Sequence, residues 1–197
     1  MGWTSRIPPQ AVNYINKLIA PYRVDVHVAR ARRTKTGDFR PGRHGHRISV
    51  NGNLNPYHFL WVLVHEIAHL HVHERYRRRV APHGEEWKSA FRDLMWPLTE
   101  VDWIPSELKP VWQRHLKNPK ATTFSDQLLI EAFRAYDGDE EQVTTVSMLE
   151  EGVEFALSNG RRFRRGPKQR TRYKCQEISS GRWYLVQGLA PIVERFS

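Results

Sequence analysis

Cysteine is nearly missing from this chain. Among 197 residues only Cys175 carries a thiol, which excludes an internal disulfide and a multi-cysteine zinc ribbon. Long apolar runs are missing as well. The longest, residues 59–64, stops at His65 and Glu66, far short of the about 20 residues that a membrane helix needs. Residues 1–6 are followed by no apolar signal core, so the expectation is a soluble, cytoplasmic protein with no membrane partner. Histidine ends at His115, and everything after it lacks imidazole ligands. Acidic residues are outnumbered, 21 against 31 lysines and arginines, for a formal net charge of +10.

That charge is uneven. Residues 1–120 carry +10, residues 121–160 carry −8 and residues 161–197 carry +8. Basic blocks of this kind attract polyanions, nucleic acid above all. The second block, 161–174, interleaves Arg161, Arg162, Arg164, Arg165, Lys168, Arg170 and Arg172 with Phe163 and Tyr173. Cations meet phosphates and aromatic rings stack on bases, so these seven residues are candidate nucleic-acid contacts, with single strands favoured. The competing reading docks the same hairpin on the acidic stretch 137–154 of its own chain.

Hydrophobic spacing orders the rest. Residues 12–19 show helical periodicity, closed by Pro21. Residues 22–32 alternate as a half-buried strand, 33–45 form a basic loop, and 46–50 read as a second strand. Asn55-Pro56 pairs an N-cap residue with proline at the first helical position. The helix it opens, over 57–75, is apolar all round in its first half and should be the buried centre of the protein. Residues 85–95 predict another helix, 110–117 a short one and 124–136 a further one. From 143 onward, two hairpins of short strands imply a small β module. The expected organisation is a core at 1–120, a helical and acidic connector at 121–142, and a metal-free β module at 143–197.

The central helix holds the chemistry. His65-Glu66-Ile67-Ala68-His69 is the pattern H-E-x-x-H. Residues four apart share one helix face, about 6 Å apart along the axis, so both imidazoles can converge on one zinc ion. Glu66 can then reach a water at the metal and act as general base without ligating. His73 continues the series but lies about 12 Å along the axis from His65, too far for one ion. His71 points off that face. His83 follows the helix by a turn and opens the next one beside Gly84, making it the preferred third ligand, with Glu86 as its rival.

The segment His65-Glu66-Ile67-Ala68-His69, a 13-residue gap, then His83-Gly84-Glu85-Glu86-Trp87-Lys88 resembles the SprT-like zinc metallopeptidase domain, a family that includes the Spartan-type DNA–protein crosslink repair proteases. Leu54-Asn55-Pro56 and the apolar start of the helix fit too. The resemblance spans roughly residues 7–118. It implies a gluzincin-like α+β core, one zinc per chain on His65, His69 and His83, a catalytic Glu66, and a protein substrate associated with DNA. The paired cysteines of the zinc ribbon carried by many bacterial members are absent here. The expected fold class is α+β, with a short sheet on the H-E-x-x-H helix. The alternative function is a non-catalytic, zinc-containing nucleic-acid-binding module.

Overall fold

In the computed structural model, residues 2–32, 35–77, 80–120, 126–138, 144–170 and 172–196 are described. Among them the chain is α+β and divides into two compact units, Met1–Gly138 and Asp139–Ser197. Much of the expected acidic loop at 137–141, and Arg78 and Arg79 after the central helix, lie outside the described residues.

The first unit is built on one helix. Its elements are α1 (Val12–Ile19), β1 (Val24–Ala29), β2 (Gly37–Arg40), β3 (His46–Asn51), α2 (Pro56–Tyr76), α3 (Glu85–Thr99), α4 (Leu108–Leu116) and α5 (Gln127–Arg134). Helix α2 starts where the sequence signals it. The Asn55 side chain accepts from the N–H groups of Tyr57 (3.1 Å) and His58 (2.9 Å), and Pro56 fills the first turn. Such a cap contributes about 1 kcal/mol. Asn55 also donates to the Phe133 carbonyl (2.8 Å) and to Asp137 (2.7 Å), joining the start of α2 to the end of α5.

Residues 59–64 are buried at every position, because α2 is enclosed on all sides. The three strands cover one flank, in the order β1-β3-β2. β1 runs parallel to β3, pairing Val26 with Ile48, and β2 runs antiparallel to it, pairing Phe39 with Ile48. Helices α3, α4 and α5 cover the other flank. Trp61 meets Phe91 edge to face at 5.2 Å and packs on Trp112 at 5.4 Å. Tyr14 donates from α1 to the Leu94 carbonyl of α3 (2.7 Å). Leu129 and Phe133 bring α5 into this same core.

Two local expectations change. The basic loop at 33–45 contains strand β2, which forms because β3 offers it a ladder. Helix α3 runs on to Thr99 through Pro97, whose missing N–H removes one bond without ending the helix. His58 is buried and stacks on Phe133 with ring centroids 4.5 Å apart and planes 2° from parallel.

The second unit is one antiparallel sheet in the order β7-β6-β5-β4-β8. Its strands are β4 (Glu154–Leu157), β5 (Arg162–Gln169), β6 (Arg172–Glu177), β7 (Trp183–Gln187) and β8 (Ile192–Phe196). The two expected hairpins are β4-β5 and β6-β7, and β8 is an addition. Val146, Leu149, Phe155, Phe163, Tyr173 and Cys175 form its core.

His58 gives the first unit an acid sensitivity. Burial lowers its pKa from 6.5 to about 4, and its Nε2 is buried with no partner among the described residues. Below pH about 6.5 the unfolded chain takes up this proton first, so stability present above that pH is lost as pH falls towards 4. The loss amounts to roughly 3 kcal/mol. Urea melts at pH 7 and pH 4.5 should show a smaller difference for His58→Leu than for the parent. An equal difference would exclude His58 as the cause.

Candidate metal centre

Helix α2 presents His65 and His69 one turn apart, and His83 reaches them from the turn before α3. The three Nε2 atoms form a triangle. His65 to His69 is 3.3 Å, His69 to His83 is 2.9 Å and His83 to His65 is 3.2 Å. A tetrahedral ion with bonds of about 2.0–2.1 Å holds its ligand atoms about 3.3 Å apart. The triangle therefore fits one small divalent ion, and these three residues could hold it. Burial lowers the pKa of all three. His65 lies well below 6.5, pushed down further by His69 and His83, and His69 falls to about 3. Neutral imidazoles, each with a free lone pair, are the form that binds metal.

The bend that delivers His83 is carried by His83 itself. Its φ of 57° is in the left-handed region, where a non-glycine residue is uncommon, while Gly84 is extended (φ −68°, ψ −173°) and caps α3. Gly84 leaves room for the Ala81 carbonyl, 3.1 Å from where a Cβ would stand. Glu86, the rival third ligand, is outside the triangle and lines a cavity of about 590 Å³ with His71, Glu74 and Asp93. The His71 imidazole bonds the Leu18 carbonyl (3.0 Å).

One residue that the spacing did not single out backs the triangle. Trp87, fully buried on α3, packs against all three imidazoles, with ring centroids 4.6 Å from His65, 5.3 Å from His69 and 4.7 Å from His83. It follows His83 by four residues, so the helix that positions the third ligand also supplies the wall behind all of them.

Glu66 follows His65 on α2 and is not part of the triangle. It is buried, and its carboxylate accepts the Phe39 N–H of β2. Burial raises its pKa from 4.5 to about 8. The Asp38 carboxylate adds to the rise, and Arg32, Phe39 N–H and Lys35 oppose it. Gly37 makes this fit possible. A Cβ there would overlap the Glu66 carboxylate and come within 2.6 Å of Val62 Cγ1. Gly37 was not readable as a site residue, because nothing in a four-residue strand marks which carboxylate packs on it.

Residues 10–102 match the SprT-like family. That segment, 93 of the 197 residues, is similar to SprT-like domains. It runs from before α1 to just past α3 and contains His65, Glu66, His69 and His83. The match suggests a metallopeptidase-like domain. Comparison with curated proteins and with solved structures finds no match.

The other candidate residues lie in the second unit. Four of them are paired there. Arg161 bonds Glu177 (2.6 Å), Arg162 and Arg164 share Glu154 (3.4 and 2.8 Å), and Arg165 faces Glu151 at 3.9 Å. Glu151 and Glu154 belong to the acidic stretch that the sequence offered as the competing partner. Lys168, Arg170 and Arg172 have no ion pair among the described residues. Phe163 and Tyr173, expected to stack on bases, are 2% and 3% exposed and fill the core instead. The exposed ring is Trp183, on β7, with Lys174 Nζ 5.0 Å from its centroid.

Gly37→Ala should keep metal binding but cost about 1–3 kcal/mol in denaturant melts, the usual scale for overpacking. Removing the carboxylate in Gly37→Ala/Glu66→Ala should return part of that loss. A double-mutant cycle with no coupling would show that Gly37 is not there to accommodate Glu66.

Proposed function

We propose that this protein is a zinc-dependent metalloendopeptidase acting on protein substrates, with proteins bound to nucleic acid as the preferred class. The observation that carries the reading is a three-imidazole triangle, which leaves a fourth position open, together with a buried carboxylate that follows the first ligand on the same helix and stays out of the ligand set. A zinc ion held there supplies Lewis acidity, activating water and polarising the scissile carbonyl. His65, His69 and His83 hold and orient. With the cation nearby to hold its carboxylate ionised against the burial that raises its pKa, Glu66 would take the proton of the attacking water on a carboxylate oxygen and pass it to the leaving amine nitrogen. The Phe39 N–H keeps that carboxylate aimed, and Trp87 keeps water away from the back of the triangle. A structural zinc module would call for a fourth protein ligand, and the described residues offer none in this group, which favours the catalytic reading.

Two measurements test it. Glu66→Gln keeps shape and removes the base, so cleavage of an unfolded protein substrate should fall at least about a hundredfold while zinc content and fold persist. His83→Ala should lose the zinc, and His73→Ala should keep it. Zinc loss in Glu66→Gln would overturn the division of roles.

For nucleic acid, the proposal assigns the contact to the unpaired cations. Binding should weaken with salt with a log–log slope of about −0.7 per phosphate on single strands. Replacing Lys168, Arg170 and Arg172 with alanine should flatten that slope more than replacing Arg161, Arg162 and Arg164. No binding in an anisotropy titration at about 50 mM salt would leave the basic strands as internally neutralised structure.

A further inference from the structure

A second set of ligating side chains converges one turn beyond His69. His73 and Glu74, near the end of α2, face His46 at the start of β3, and one donor atom from each lies within 4.8 Å of the other two. His46 Nε2 is 3.2 Å from Glu74 Oε1, close to the about 3.3 Å edge of a tetrahedral zinc site. The His46 and His73 rings meet edge to face at 5.5 Å, which keeps their donors close to one another. All three residues are half-buried, which leaves a path for the ion and room for water as a further ligand.

We propose that His46, His73 and Glu74 form a second divalent-metal site, separate from the trihistidine centre and weaker than it. Two imidazoles and one carboxylate select zinc or a similar late first-row ion over magnesium or calcium, which prefer all-oxygen shells. The site ties β3 to α2. Its neighbours fit that role. The Phe39 ring packs on both His46 and His73 at 5.7 Å, and the backbone of the same residue donates to Glu66. Arg77, 3.3 Å from Glu74, competes for the carboxylate, but it is exposed, and such a pair contributes at most about 1 kcal/mol. The peptidase chemistry uses none of these three residues, so the site stands or falls independently of that reading.

The test is a zinc titration of the full chain, stripped with a chelator and then titrated in competition with a chromophoric chelator. Two equivalents are expected, one tight and one weaker. Glu74→Gln, at a partly exposed position that preserves shape, should lower affinity for the weaker equivalent at least about tenfold and leave the tight one intact. His73→Asn should do the same. His83→Ala should lose the tight equivalent and keep the weaker. A parent chain with no equivalent that Glu74→Gln and His73→Asn weaken overturns the proposal, whereas a parent chain that lacks only the His83-dependent equivalent supports it and overturns the trihistidine reading instead.

Discussion

Helix α2 is walled off from solvent through its first half, and just beyond, where little solvent is left to satisfy polar side chains, it carries His65, Glu66 and His69. Each of these groups must find a partner or shed its charge, because an unpaired ionised group in such surroundings costs several kcal/mol. Both solutions are used. The imidazoles are held neutral and turned towards one another and His83, and the Glu66 carboxylate is pressed onto a backbone N–H of β2. The surrounding architecture serves this arrangement. The sheet contributes its short outer strand, with a glycine opposite the carboxylate, and α3 contributes both the remaining imidazole and the indole behind the three rings. The enclosure that makes α2 a good core element is also what prepares its polar residues for chemistry.

The parts of this arrangement that depend on a single helix were legible in the sequence. The spacing of His65 and His69 fixes their common face through the helical period, and Asn55-Pro56 fixes where that period starts. The spacing likewise excluded His73 from the same ion as His65. Of the parts that depend on packing between elements, the sequence singled out His83 but not the rest. Residues 37–40 lie in a run rich in arginine and glycine and are too few to show alternation, so β2 becomes a strand only because β3 is beside it. Trp87 reads as one more core aromatic until the three histidines are placed around it. His46 has no sequence relation to His73 and Glu74, and only the pairing of β3 alongside α2 brings them together.

The basic tail teaches a different lesson. In β5 and β6, Phe163 and Tyr173 alternate with cations. In a single sheet with one buried face, that period of two sends the aromatic residues inward and the cations outward. Composition suggested base-stacking rings, whereas alternation, followed strictly, places those rings in the core. Arginine guanidinium groups then lie over rings of the same sheet, Arg165 over Tyr173 at 4.4 Å and Arg162 over Phe196 at 3.8 Å. Much of the positive charge is therefore spent within the unit, on rings and on Glu154, Glu151 and Glu177.

The left-handed turn at His83 has a mechanical consequence. A chain with one cysteine cannot staple itself covalently, yet an ion shared by His69 and His83 would close a loop of similar size to those closed by disulfides in small secreted proteins. Closing a loop of about 15 residues removes on the order of 3 kcal/mol of disorder from the unfolded chain. Because the ion binds only where all three imidazoles are already gathered, it would also favour the folded form by mass action. The metal would then act as a reversible cross-link between α2 and α3, and its removal would release the α2–α3 connection before the rest of the core.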